Sequence, residues 1–233
     1  MRQNNHNISI IIPVLNEANC IGELLLYLKE NCQLNSVHEI IVVDGGSTDD
    51  TTTIASKHGA TVINSEKGRA KQLNTGAAFA RGSILYFLHV DTFPPKHFDE
   101  RIIAAIEKGS QVGCFQMKFD TDSPFLNFFA WFTRLNYKIC RGGDQSLFIT
   151  KDLFLKTKGF NEQYIIYEDN EFIGRLYKIA PFSILPFKVK TSARKYQEKG
   201  EIRLQYHFGI IHLKNFLGVP PEKLHEYYKR KIA

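Results

Sequence analysis

Three short apolar runs, each ending in an acidic residue, constrain this chain more than any other feature. Ser9-Ile-Ile-Ile-Pro-Val14 leads to Leu15-Asn16-Glu17, Glu39-Ile-Ile-Val-Val43 leads to Asp44, and Ser83-Ile-Leu-Tyr-Phe-Leu88 leads to His89-Val90-Asp91. Continuous β-branched runs of this length are the signature of parallel strands buried on both faces. A fourth strand fits Ala60–Asn64. Helical patterns fill the gaps at Asn19–Glu30, Asp49–His58, Arg69–Ala80 and Lys96–Lys108. The first of these places Ile21, Leu24, Leu25 and Leu28 at helical spacing. The alternation predicts an α/β fold: a Rossmann-like, mostly parallel sheet flanked by helices. Acids delivered at the same end of successive strands predict one shared crevice, at the edge where open sheets bind ligands.

Within that crevice the segment Asp44-Gly-Gly-Ser-Thr-Asp49 is the most specific. Gly45 and Gly46 let the backbone turn sharply or approach a ligand closely. Ser47, Thr48, Asp49 and Asp50 carry hydroxyls and acids suited to a helix start. Asp44 can accept from a nucleobase imide N–H or from ribose hydroxyls; an ordinary turn aspartate is the alternative. Arg69 follows Gly68 at another helix start, where backbone amides and a guanidinium meet anionic oxygens; a surface arginine is the alternative there. The dinucleotide signature G-x-G-x-x-G is missing from the first strand–helix turn, which disfavours a dehydrogenase.

The length of 233 residues fits one large domain. Four cysteines without C-x-x-C spacing argue for free thiols rather than a zinc site or disulfides. The longest apolar stretches fall short of the ~20 residues of a spanning helix, and the polar start lacks a signal-peptide core. The expected location is cytoplasmic, with membrane association as the further option. Of the net charge of +6, much sits in a basic tail that includes Arg194, Lys195, Lys199 and Lys229–Lys231. No nucleic-acid recognition motif accompanies it, so a phosphorylated substrate or an anionic membrane face is the more natural partner.

Beyond Gln111 the alternation breaks down. Gln111–Phe119 and Ser146–Thr150 read as strands, and the aromatic stretch Ser123–Cys140 reads as packing or, alternatively, as an acceptor or membrane-facing wall. A helix is expected from Tyr167-Glu-Asp-Asn170, where Asp169 can serve as its N-cap. Glu201–Lys231 reads as two helices broken at Pro220-Pro221.

Taken together, Pro13-Val-Leu-Asn-Glu17, Val42-Val-Asp-Gly-Gly-Ser-Thr-Asp49, Gly68-Arg-Ala-Lys-Gln-Leu-Asn-Thr-Gly76 and Phe87-Leu-His-Val-Asp91 resemble family 2 glycosyltransferases. Gly143-Asp-Gln-Ser146, Gly159-Phe-Asn-Glu162, Glu168-Asp169 and Ala193-Arg-Lys-Tyr196 extend the match. The chain looks most like a small single-domain bacterial branch described as radical-SAM-associated transferases. The resemblance implies a GT-A-type fold and inverting transfer from a nucleotide-diphosphate sugar, a UDP-sugar favoured, to a hydroxyl acceptor that is lipid-linked in one reading. It implies donor contacts from Pro13, Asn16, Glu17, Asp44, Arg69 and Asp91, with Asp44 on the base and Glu17 on the ribose. It implies a general base at Asp169, beside Glu168, and weaker acceptor or diphosphate contacts from Asp144, Gln145, Arg194 and Lys195. It also implies a divalent cation, Mn²⁺ or Mg²⁺.

At the metal position this chain departs from the family, which usually presents Asp-x-Asp, by carrying His89-Val90-Asp91. Residues two apart in an extended segment project to the same side, so Asp91 and His89 are the expected ligands, Asp91 as the hard oxygen. His89 contacting a phosphate or packing under the loop is the alternative. The expected organisation is a single domain over 1–233: a nucleotide-sugar half at 8–110, an acceptor half at 111–198 and a helical extension at 199–233. A nucleotidyltransferase and a non-catalytic nucleotide-sugar-binding module are the competing readings.

Overall fold

A computed structural model describes residues 6–33 and 36–232. The first half runs β1 (Ile8–Val14), α1 (Ala18–Asn31), β2 (Val37–Asp44), α2 (Thr51–Lys57) and β3 (Thr61–Asn64). It continues with α3 (Arg69–Phe79), β4 (Ile84–Phe87), β5 (Thr92–Phe93) and α4 (Phe98–Glu107). The second half holds β6 (Val112–Phe119), α5 (Pro124–Trp131), β7 (Leu147–Thr150), α6 (Lys151–Lys156), α7 (Glu168–Leu176) and β8 (Phe182–Thr191). Three helices close the chain: α8 (Arg194–Lys199), α9 (Glu201–Phe216) and α10 (Pro221–Lys231).

The described strands form one eight-stranded sheet in the order β3-β2-β1-β4-β7-β6-β8-β5. β3, β2, β1 and β4 are parallel, β7 runs against β4 and β6, and β5 runs against β8. The two-residue alternation of β1 sorts its side chains between two cores. Ile8, Ile10 and Ile12 pack with Leu24, Leu25 and Leu28 of α1 and Phe98 and Ile102 of α4. Ile11 packs on the other face with Leu73 and Ala77 of α3 and Phe172 of α7. Gly76 lets α3 lie close to the sheet, because a Cβ there would sit 2.5 Å from Ile11 Cγ2 and 2.9 Å from Val43 Cγ2.

The expected elements hold, with differences at their ends. α2 starts at Thr51, because the side chain of Asp49 folds back to accept the Thr51 N–H at 3.1 Å. α7 is capped by Tyr167 in a left-handed conformation (φ 70°), so Asp169 lies in the first helical turn and is not the N-cap. α8 stands between the last strand and the two expected tail helices. The aromatic stretch is only partly packed: α5 buries Leu126 and Ala130 but leaves Phe128 and Trp131 exposed. All four cysteines are free. Among the described residues no helix is long and apolar enough to cross a membrane.

Candidate active site

The strand ends of β1 and β2 are tied together before any ligand arrives. Asn16, at φ 56°, donates its N–H to Ser47 Oγ at 2.8 Å, while its Oδ1 accepts the Thr48 N–H at 2.8 Å. The Glu17 N–H reaches Thr51 Oγ1 at 2.8 Å. From α3, buried Gln72 donates to the carbonyls of Val14 and Val43, both at 2.8 Å. Pro13 lies half-buried in β1 opposite Val43. The Asp44 carboxylate is buried and accepts the N–H groups of Gly46 and Ser47 at 3.0 Å and the Ser47 hydroxyl at 2.5 Å. Asp44 therefore shapes its own turn, and any ligand contact it makes is additional to that one.

Glu17 points into the same crevice. Burial raises its pKa above the usual carboxylate value, opposed by Arg194 and supported by Asp91 and Asp49. Asp91, on the loop after β4, is likewise raised by burial. Among the described residues no side chain donates a hydrogen bond to the Asp91 carboxylate. A partly buried carboxylate without a fixed donor suits a cation. Arg194 at the start of α8 lies beside Glu17, Cys20 and Asp91, as its influence on all three shows. Lys195 bonds the Tyr228 hydroxyl, and its charge reaches Asp144.

A second cluster forms where the β4 loop meets the turn at 143–145 and the start of α7. His89 Nδ1 faces Asp144 Oδ1 at 3.3 Å, and Nε2 faces Asp169 Oδ2 at 3.6 Å. Burial and Arg69 both oppose a charge on this ring, yet the two carboxylates prevail and push its pKa up to about 10. Packing around Asp144 works against that carboxylate's charge, but the bond to His89 holds its pKa below the usual value. Asp144 and Asp169 thus occupy both ring nitrogens of His89, the residue expected to share an ion with Asp91. Of the expected pair, Asp91 is the one whose carboxylate has no side-chain donor among the described residues. A single carboxylate suffices where substrate phosphates complete the coordination sphere. Among the described residues no group of three metal-ligating side chains occurs.

Glu168 is buried and takes Arg69 Nη1 at 3.1 Å. Burial still raises its pKa, with Arg69 pulling against it. Gly143 is required by close approach: a Cβ there would lie 2.0 Å from Asp169 Oδ2 and 2.8 Å from His89 Cε1. The Gln145 side chain, expected to meet the acceptor or the sugar, turns inward and is buried. Its Oε1 accepts from Arg141 Nη1 at 2.6 Å and its Nε2 bonds the Cys140 carbonyl at 2.6 Å. Asn74 clamps the following loop through the Phe160 carbonyl and Glu162, both at 2.9 Å.

Two residues outside the expected set hold this arrangement. Gln72 had a visible signal, a polar residue on the apolar face of α3 beside Leu73 and Ala77. Arg141 had none. Among the described residues its buried guanidinium meets no carboxylate; it donates to Gln145 and to the carbonyls of Thr133 and Leu135, each at 2.6 Å. Its own carbonyl accepts from Asn170 of α7 at 2.8 Å.

The crevice thus offers one carboxylate free for a cation, a guanidinium and helix start for anionic oxygens, and two carboxylates, Asp144 and Asp169, facing the His89 ring. A family model described as glycosyl transferase family 2 matches residues 9–180. The undecaprenyl-phosphate 4-deoxy-4-formamido-L-arabinose transferase of Pseudomonas savastanoi pv. phaseolicola is 32% identical over 114 residues, covering 45% of this chain and 34% of the relative. The chain spans about a third of the length of the curated relatives it matches. The crystal structure of S. aureus TarS 1–349 in complex with UDP superposes with a TM-score of 0.67 at 25% identity, covering 80% of this chain and 60% of that one. Glucosyl-3-phosphoglycerate synthase from Mycobacterium tuberculosis, in complex with Mn²⁺, UDP and glucosyl-3-phosphoglycerate, superposes with a TM-score of 0.65 at 18% identity, covering 92% and 81%. That likeness is one of fold.

Proposed function

The chain belongs to glycosyl transferase family 2 and is a glycosyltransferase, and from that premise we propose that it transfers a sugar, with inversion, from a UDP-sugar to an acceptor hydroxyl. A glycosyltransferase reading leaves no place for the nucleotidyltransferase alternative. The observation that carries the proposal is the division of the crevice. Asp44 ends β2 beside the end of β1, and Glu17 and Asp91 lie near each other on the loops that follow β1 and β4, while Asp169 faces the His89 ring from the start of α7. UDP in the TarS structure supports the donor class.

In this reading Asp44 holds the base, Glu17 the ribose, and Arg69 the diphosphate. Pro13 and Asn16 set the loop exit, and Arg194 and Lys195 cover the leaving group. Asp91 is the residue that would hold a divalent cation, as Mn²⁺ in the mycobacterial neighbour suggests. When bound, such an ion neutralises charge that builds on the departing diphosphate. The acceptor oxygen attacks the anomeric carbon as its proton passes to Asp169. The anomeric C–O bond to the diphosphate breaks and its electron pair leaves with UDP. His89 faces the Asp169 carboxylate at 3.6 Å from its other side, and Asp144 meets the acceptor or the sugar. The names of the curated relatives support a lipid-linked acceptor, which implies contact with a membrane surface.

Donor turnover tests the reading. With Mn²⁺ and a panel of UDP-sugars, slow release of UDP by water is expected, and Asp169→Asn should suppress it. Tight donor binding without release or transfer for any sugar and acceptor would favour the binding-module alternative.

A further inference from the structure

Helix α9 packs on the domain by one side only. Leu204 and Ile211 are buried against Tyr167, Tyr196 and the side chains of α10. On the other side, Ile202, Tyr206, Gly209, Leu213 and Phe216 follow one another at steps of four and three, with Leu217 just beyond. At 3.6 residues per turn these positions fall on one stripe within about 100° of arc. The stripe carries no charged residue. It is also strongly exposed: Ile202 73%, Tyr206 62%, Leu213 51% and Phe216 82%.

Charge says what covers it. From Arg194 to Lys231 the chain has nine lysines and arginines against four glutamates, so this segment holds five of the six net positive charges of the molecule. Arg203 bonds the Lys231 carbonyl at 3.3 Å, which sets the Lys229–Lys231 end of α10 beside the start of the stripe. Two such surfaces would repel each other, and two heptads interrupted by a glycine are too short for a coiled-coil seam. An apolar stripe flanked by cations is what a helix lying in an anionic lipid interface requires.

The same helix reaches the candidate base. On its inner flank His212 Nδ1 meets the Tyr167 hydroxyl at 2.7 Å, and Tyr167 is the cap directly before Glu168 and Asp169. A helix is about 10–12 Å across, so a lipid surface touching the stripe lies about one helix diameter from that cap. At the N-terminal end, Ser123 Oγ bonds Glu201 Oε2 at 2.6 Å. This joins α9 to α5, whose Phe128 and Trp131 are also exposed.

We propose that the Ile202–Leu217 stripe of α9 is the surface by which this enzyme docks on an anionic phospholipid bilayer, presenting the Asp169 side of the crevice to an acceptor held there. The inference rests on the reading above that the acceptor is membrane-held.

The test is flotation of the full chain with vesicles of phosphatidylglycerol and phosphatidylcholine, and with phosphatidylcholine alone. The wild type should float with the anionic vesicles, lose most binding in high salt, and ignore the neutral ones. Leu213→Glu with Phe216→Glu should lower the vesicle-bound fraction more than about ten-fold, because each buried apolar side chain contributes strongly to insertion. Both residues are exposed, so the melting temperature of the variant and its shift with UDP and Mn²⁺ should match wild type. Absence of flotation by the wild type, or equal flotation by the variant, overturns the docking face. So does a wild-type dimer that the variant converts to monomer, which would give the stripe to a second copy of the chain. UDP binding without flotation would sink the docking proposal alone, and flotation without UDP binding would sink the donor reading alone.

Discussion

At the scale of single residues the decisive groups are Asp169 and the ring beside it. Asp169→Asn keeps the shape of the side chain and removes the proton acceptor. Turnover should fall about 10²–10⁴-fold with donor affinity nearly unchanged; full retention of transfer would move the base elsewhere. Glu168→Gln should cost less turnover but more stability, since it leaves Arg69 without its ion-pair partner. His89 predicts a pH effect. Its folded pKa stands at about 10, above the ordinary imidazole value, so its contribution to stability is complete below about pH 6.5. That contribution disappears as pH rises towards 10. The melting temperature of His89→Gln should lie below wild type at pH 6.5 and converge with it by pH 10; a constant gap would remove the ion pairs from the account. The partners of His89 were the least legible part of the site. His89-x-Asp91 spacing gives both side chains the same direction in an extended strand. What decides the role of His89 is the arrival of Asp144 and Asp169 from positions 55 and 80 residues further on. Local periodicity carries no information about such contacts.

At the scale of elements, β1, β2 and β4 were legible because β-branched runs and helix-period stripes bury themselves in only one way. The start of α7 was legible too, at Tyr167–Asn170, but not its cap, because Tyr167 adopts a left-handed conformation that its side chain does not announce. The turn at 143–145 makes a test of packing. Gly143→Ala places a methyl group against Asp169 and His89, which must move to make room. Overpacking of this kind costs about 1–3 kcal/mol, and here it should also lower turnover more than donor binding. A variant with normal transfer would mean that the turn relaxes without disturbing the carboxylate. Within α3, Gly76→Val should destabilise without touching the chemistry, since its clashes are with Ile11 and Val43 of the sheet. Thermal melting and UDP binding separate the two effects.

At the scale of the whole molecule, the first half holds the parallel strands β1–β4 with preformed loops, and the second half brings Asp169 to them. A ligand that binds only the folded crevice raises its stability by mass action. UDP with Mn²⁺ should therefore raise the melting temperature, and Asp44→Ala should lose that shift. Because Asp44 also caps its own turn through Gly46 and Ser47, the variant should melt a few degrees lower even without ligand. An undiminished UDP shift would take Asp44 out of the donor site.

The buried guanidinium of Arg141 bears on how this molecule can change. It fastens the stretch around Thr133 and Leu135 to Gln145, while its backbone holds Asn170 of α7. Residues 138–145 are therefore not a cassette. Grafting that loop from a relative to alter acceptor choice would carry away the anchor of the neighbouring aromatic segment and loosen the helix that bears Asp169. Drift in one of these three segments has to be matched in the other two, so new acceptor preferences arise more readily by side-chain replacement around Arg141 than by exchange of the loop that contains it.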